Sequence, residues 1–399
     1  MQQVVGVIAE YNPFHNGHLY HLKETQKTGL PVIAVMSGTI MQCGEPSFWN
    51  KWLRARIATM NGIDLILELP AAFSLRSAEF FAQGSVAILQ ATGCVKYLAC
   101  GTENPDYDFQ ALARITISSD FKRQLQLNLR TGLTYAAAYS SAIEQLSDKK
   151  IYLNMPNDIL TLEYCKALEN TSISPIFIQR QQAKYNEANI CGPIASATAI
   201  RAAFREQRII KIPTVVPSIV WQELSKYHEA AAGYNEQLLW QLIKYRLAML
   251  SSAEIANSCQ CSEGLENLIK DAASCSSLSE ALQCCTKKRY PAARIRRLFL
   301  QLLLQKSRRY FDQKAPAYFR VLAFSSTGRQ ILKDIKTQNE LPIITKLGNN
   351  PYSMQSASFK EQLELDIDSS NLAALLRIPP QTYGSDFLIS PYYYDTSAS

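Results

Sequence analysis

Val4-Val5-Gly6-Val7-Ile8-Ala9-Glu10-Tyr11-Asn12-Pro13-Phe14-His15-Asn16-Gly17-His18 decides how the rest of the chain is read. Its first six residues are a near-continuous apolar run without polar alternation, the pattern of a strand covered on both faces. An amphipathic stretch at about 17–27 follows, so the segment reads strand, loop, helix. Four more runs repeat the first: Pro31 to Met36, Asp64 to Leu69, Val95 to Cys100 and Pro175 to Ile178. Amphipathic stretches at about 48–61, 77–91, 107–147 (broken in places) and 157–168 lie between them. Strands that alternate with helices predict a parallel sheet with helices on both faces, a doubly wound α/β domain.

A last helix of this part runs from Ser196 to about Gln207, and Pro213 and Pro217 punctuate the chain just beyond it. The expected division is an α/β domain over 1–210 and a mainly helical region over 211–399. Within the second part, 318–346 offers short strands, 357–377 a helix, and residues 392–399 a loose tail. No internal repeat is visible.

The chain has 399 residues, 47% apolar and 19% charged, which excludes collagen-like, mucin-like and wholly disordered classes. No run of 18 apolar residues occurs, and the N-terminus lacks a basic segment followed by a cleavable apolar one. The expectation is a soluble, unprocessed protein of the cytosol, with its ten cysteines reduced and mostly buried.

Of four histidines, His15, His18 and His21 fall within seven residues, and His228 stands apart. At the mouth of a helix after strand one, backbone N–H groups and the helix dipole suit phosphate. Gly17 lets backbone approach a ligand, and His15 and His18 can both donate to phosphate oxygens. Zinc coordination and helix capping are the competing readings, and the lack of a nearby cysteine or third acidic ligand counts against zinc.

His15-Asn16-Gly17-His18 after a first strand resembles the His-x-Gly-His signature of the nucleotidyltransferase superfamily related to class I aminoacyl-tRNA synthetases. The wider succession is more specific: Gly6 to His18, Met36-Ser37-Gly38, Gln42-Cys43-Gly44-Glu45-Pro46, Lys51-Trp52-Leu53-Arg54 and Asp64 to Pro70. Together they are similar to the tRNA(Met) cytidine acetate ligase family, almost to the C-terminus. The resemblance implies a Rossmann-like nucleotidyltransferase domain, activation of acetate by ATP to acetyl-adenylate, and transfer to N4 of the wobble cytidine of elongator tRNA(Met). One departure stands out, Cys43 where the family pattern implies Arg.

The same resemblance implies an ATP site. It takes in Val7, Ile8, Ala9, Glu10, Tyr11, Asn12, Pro13, Phe14, His15, Asn16, Gly17 and His18, with Gly101, Asn157 and Arg180 from later segments. Asn157 also reads as an N-cap. Ser196-Ala197-Thr198-Ala199-Ile200-Arg201 resembles the superfamily's second signature. There Ser196 and Thr198 present hydroxyls at a helix N-terminus, and Arg201 supplies charge to departing pyrophosphate. His15 and His18 are the expected catalytic donors, with Lys51 and Arg54 as auxiliary cations and Mg²⁺ held mainly by the ATP phosphates.

The basic excess is clustered. Between Ala281 and Phe311 stand nine basic residues and no acidic one: Lys287, Lys288, Arg289, Arg294, Arg296, Arg297, Lys306, Arg308 and Arg309. Ile295, Leu298, Phe299, Leu302 and Leu303 mark an inward face, leaving Arg294 and Arg297 turned elsewhere. Beside Tyr290, Lys287 to Arg297 suit an RNA backbone. Cys259, Cys261, Cys275, Cys284 and Cys285 invite a zinc reading, but their spacing is not that of paired Cys-x-x-Cys knuckles. Two rival readings remain: an adenylyltransferase for a small phosphorylated metabolite, and a non-catalytic RNA-binding protein that keeps the fold.

Overall fold

The computed structural model describes residues 2–147, 151, 153, 155–181, 192–226, 233–258, 261, 264–287, 289–339, 341–348 and 355–395. His228, Cys259, Lys288 and the end of the tail, 396–399, lie outside the described residues.

The chain runs β1 (Val4–Ala9), α1 (Asn16–Gln26), β2 (Val32–Ser37), α2 (Lys51–Met60), β3 (Leu65–Leu69), α3 (Ala71–Ser74), α4 (Ala78–Ala91) and β4 (Val95–Thr102). The long amphipathic stretch is three helices, α5 (Phe109–Ile117), α6 (Ser119–Arg130) and α7 (Tyr135–Ser147). Ser118 breaks it by leaving the helical backbone to cap α6, its hydroxyl accepting from Phe121 N–H at 3.1 Å. Then come α8 (Pro156–Leu168), β5 (Ser174–Gln179) and α9 (Ala197–Arg205).

Parallel pairing places β1 at the centre, between β2 and β4, with β3 and β5 beyond them. The chain first winds outward through β2 and β3, then crosses back to β4 and β5 on the other side. The C-terminal ends of β1 and β4 therefore flank the point where the winding reverses, the usual crevice for a ligand. Successive residues of β2 serve opposite faces. Ile33 and Val35 pack with Leu65, Leu67, Phe73 and Leu89, while Val32, Ala34 and Met36 pack with Leu22, Leu53 and Ile57.

Beyond residue 205 the helices are α10 (Ile212–Val215), α11 (Ser218–Ser225), α12 (Glu236–Met249), α13 (Ser252–Ser258), α14 (Leu265–Asp271), α15 (Leu278–Cys285) and α16 (Ala292–Leu303). They are followed by β6 (Phe319–Ser325), α17 (Ser326–Gln338), β7 (Ile343–Ile344), α18 (Ala357–Leu376), α19 (Ser385–Leu388) and β8 (Tyr392–Tyr394).

The sheet runs across the expected division at 210/211. β6 pairs antiparallel with β3, and β7 and β8 pair with β6, so the second part of the chain extends the sheet begun by the first. Trp240, Leu298 and Phe299 also join the apolar cluster that holds Val4 and Ile33. The loose tail is corrected too, since Tyr392, Tyr393 and Tyr394 align with Ala323, Phe324 and Ser325. An open edge of β6 offers backbone donors and acceptors, and a tyrosine-rich segment is well suited to take them.

Candidate active site

α1 starts at the C-terminal end of β1, and the two histidines of the motif build its first turn. His15 is the N-cap: its Nδ1 accepts from Gly17 N–H at 3.1 Å. His18 reaches back, its Nδ1 accepting from His15 N–H at 3.3 Å. Capping, read from the sequence as an alternative to ligand binding, is therefore how the site is made. An Nδ1 that accepts carries no proton, so these hydrogen bonds assign both neutral rings the Nε2–H form, a donor. The rings stack with centroids 3.8 Å apart. A side chain on Gly17 would put its Cβ 2.9 Å from His15 Cε1, so glycine is required for this close approach.

Burial holds the histidines neutral. It lowers His15 to about 3, with Arg180 and Arg201 adding to the effect. His18 lies well below its ordinary value for the same first reason, reinforced by His15, Arg180 and His21. His21 is lowered to about 4, again mainly by burial and then by Arg180. Tyr11 precedes the motif with a left-handed backbone, φ +44°, unfavourable for a side-chain-bearing residue by about 1–2 kcal/mol. Its ring is buried against Phe14, centroids 4.9 Å apart, and edge-on to His18 at 5.0 Å, packing that offsets the strain.

Four more elements close the cavity. Gly101 lies near the end of β4 with His21 against it, 3.3 Å from where a Cβ would stand. Asn157 is not the N-cap expected from the sequence. Met155 holds that position, Pro156 opens α8, and Asn157 Nδ2 donates to Glu103 Oε1 at 2.6 Å. Arg180, just past β5, faces the same carboxylate, Nε to Oε1 at 3.6 Å. Ser196 caps α9 as expected, accepting from Ala199 N–H at 3.1 Å. Arg201 donates to the Asn12 carbonyl at 2.9 Å and to Thr198 Oγ1 at 3.1 Å, which ties the N-terminus of α9 to the approach to α1.

The result is a cavity of about 670 Å³. Val7, Ile8, Ala9, Glu10, Tyr11, Asn12, His15, Gly17, His18, Gly101, Asn157, Arg180, Ser196, Thr198 and Arg201 all line it. Pro13, Phe14 and Asn16 are not in its wall. Phe14 is buried behind His18, and Asn16 Nδ2 donates to the Pro193 and Thr214 carbonyls at 2.8 and 3.1 Å. Sequence reasoning missed His21, Glu103 and Tyr164 as wall residues. Only His21 carried a signal, its place one turn after His18.

Lys51 and Arg54, expected as auxiliary cations, are not in the cavity wall. Lys51 is 1% exposed and ion-paired to Glu68 and Asp386, 2.8 and 2.7 Å away. Burial works against its charge, yet Asp386 and Glu68 prevail and hold it above its ordinary range. Arg54 is equally buried and donates to the carbonyls of Glu10, Ser37, Gly38 and Trp49, stitching the ends of β1 and β2.

The basic helix is corrected in part. Arg297 points inward, donating to the Gln42 carbonyl at 2.8 Å, and Arg296 sits 3.5 Å from Glu45. Gly44, φ +81°, allows this contact, because a Cβ there would lie 2.6 Å from Arg297 N. Lys287 and Arg289 are exposed, and Arg294 stands 5.1 Å over the ring of Tyr290. Cys43 lines the cavity, its thiol pushed up to about 12 by burial and by Glu10 and Glu45. Among the described residues, no group of three or more His, Cys, Asp or Glu is placed to hold a metal ion.

A parallel sheet with a histidine-capped helix at its switch point, faced by a second helix N-terminus carrying hydroxyls and an arginine, is the construction of a nucleotidyltransferase. The family model described as "HIGH Nucleotidyl Transferase" matches residues 1–385. Two relatives narrow this further. The tRNA(Met) cytidine acetate ligase of Caldanaerobacter subterraneus subsp. tengcongensis is 37% identical, covering 90% of this chain and 92% of its own. That of Acetivibrio thermocellus is 36% identical over 93% and 94%. The chain belongs to the tRNA(Met) cytidine acetate ligase family. Thermotoga maritima TmcAL bound with alpha-thio ATP superposes with a TM-score of 0.88 at 29% identity, covering 99% of this chain and 100% of that one. The apo form of the same protein gives 0.91 at 30% identity, with the same coverage.

Proposed function

We propose that this chain forms acetyl-adenylate from ATP and acetate in the cavity at the end of β1. It then transfers the acetyl group to N4 of the wobble cytidine of elongator tRNA(Met). The observation that carries the reading is the pair of buried neutral imidazoles, each with Nδ1 spent on the helix cap and its proton on Nε2, that of His18 also within reach of the Pro13 backbone. Facing them is the capped N-terminus of α9 with Arg201. Acetate attacks the α-phosphorus as pyrophosphate leaves, so charge builds on phosphoryl oxygens. Fixed donors that need no reorganisation lower such a barrier.

His15 and His18 donate to the α-phosphate, and Arg180 and Arg201 neutralise the departing pyrophosphate. Gly101 and Asn157 border the adenosine. Mg²⁺, if bound with ATP, would screen the charge of its phosphates; among the described residues no group of three or more His, Cys, Asp or Glu is placed to hold it. The anhydride is itself an acyl donor, so the second step needs no nucleophilic side chain. The exposed Lys287 and Arg289 and the half-buried Arg294 meet the tRNA backbone, with Lys288 between the first two in sequence. α16, through Arg297, borders the loop that forms one wall of the cavity.

The test is incubation of the purified protein with ATP, acetate and unmodified tRNA(Met), followed by nucleoside mass spectrometry. N4-acetylcytidine appears only when all three are present. Acetyl-adenylate without acetylated tRNA would reassign the acyl acceptor, and neither product would overturn the reading.

A further inference from the structure

Two carboxylates line the cavity, and Glu10, unlike Glu103, is not paired with Arg180 or Asn157. It lies one residue beyond β1 and is half-buried in the wall. Its Oε1 accepts from Ser37 Oγ at 3.1 Å and from Gln42 N–H at 2.7 Å, bracing the end of β1 against the chain after β2. Among the described residues Oε2 receives no hydrogen bond, and the carboxylate makes no ion pair within 4.0 Å. A glutamine would accept the same two hydrogen bonds without placing negative charge beside a triphosphate. What the carboxylate adds is the capacity to take a proton.

We propose that Glu10 is the proton acceptor of the second step, a role that rests on the reading above. The N4 amine attacks the carbonyl carbon of acetyl-adenylate, forming the N–C bond. The bond from that carbon to the phosphate oxygen breaks, and AMP leaves with its electron pair. The N4 proton passes to Glu10, which ends neutral.

Placement supports this. Arg201, at the N-terminus of α9, donates to the Asn12 carbonyl, and its charge acts on Glu10, His15 and Cys43 alike. The acceptor end and the phosphate end of the cavity are thus close neighbours. Glu10 lies on the side of Gln42 and Cys43, the loop against which basic α16 is docked through Arg297. Charged and titratable groups face it from each adjoining element: Arg54 on α2, Cys43, Tyr164 on α8 and Arg201. Burial raises its pKa, against the pull of the Gln42 and Ser37 hydrogen bonds and of Arg54 and Arg201. A carboxylate raised in this way is a stronger base.

The experiment compares wild type with Glu10→Gln and Glu10→Asp. Adenylate formation is followed from ATP and acetate, and single-turnover transfer of labelled acetyl to a tRNA(Met) transcript is followed across pH. Glu10→Gln should slow transfer by about 100-fold or more beyond any change in adenylate formation. It should also abolish the acidic limb of the transfer profile, and Glu10→Asp should restore that limb. Parallel loss of both steps would make Glu10 a brace only. Transfer with an unchanged rate and pH profile would give the proton to the leaving AMP phosphate. Either result overturns the proposal, whereas a wild type that makes no adenylate overturns the reading beneath it.

Discussion

Replacing Lys51 by methionine separates two roles that a lysine near a phosphate site can have. If its ammonium served ATP, the variant would keep its stability and lose affinity. The structure dictates the reverse. Lys51 Nζ lies 2.8 and 2.9 Å from the two oxygens of Glu68 and 2.7 Å from Asp386, with all three side chains at most 4% exposed. Removing the cation leaves Glu68 buried without its only hydrogen-bonding partner among the described residues, a change that costs about 3–5 kcal/mol. At about 2.1 cal/mol/K per residue, unfolding 399 residues carries an entropy of about 0.84 kcal/mol/K. The thermal midpoint should therefore fall by about 4–6 °C, read by circular dichroism or differential scanning fluorimetry. The Kd for ATP, read by calorimetry at a temperature where both proteins are folded, should change less than about twofold. A tenfold weaker Kd with the midpoint moved by less than about 1 °C would refute the argument.

Three further outcomes follow from the same geometry. His15→Ala should slow adenylate formation by about 10²–10³ and lower stability by about 1 kcal/mol through loss of the cap. His15→Asn should recover the stability and not the rate; a recovered rate would sink the donor role. Because His15 and His21 are held near 3 and 4 when folded, the unfolded chain binds more protons as pH falls below about 6.5. Each then removes up to about 2 kcal/mol of stability by pH 5, and the loss disappears as pH rises through the unfolded value. A midpoint that stays level from pH 7 to 5 would contradict this. Arg294→Ala should weaken tRNA binding and reduce its salt slope by about one unit, while Arg297→Ala should lower the thermal midpoint. Equal effects from both on the slope alone would return Arg297 to the RNA face.

The sequence was most informative where the physics is local. Near-continuous apolar runs marked every strand from β1 to β5; in β1, β2 and β3 this is because nearly every position on both faces is buried. His15, Gly17 and His18 were legible since a helix N-terminus is assembled from adjacent residues, and Ser196 for the same reason. Charges that depend on distant partners were not legible. Nothing near Lys51 in the chain announces Asp386, and a helical period fitted to Ile295 and Leu298 could not show that the loop at Gln42 waits for Arg297. The tyrosines of β8 looked loose because their strand exists only once β6 offers an edge. Glu103 escaped notice because its place in the cavity depends on Asn157 and Arg180, which other elements deliver.

The contact between Lys51 and Asp386 spans almost the whole chain. While the protein is being synthesised, Lys51 emerges early and waits for a carboxylate 335 residues behind it. A chain cut short before Asp386 has the nucleotide pocket's motifs in full but lacks a member of the charged cluster at the root of α2. A chain that ends early is therefore destabilised from within, because Lys51 and Glu68 then lie in the core short of one of their charged neighbours.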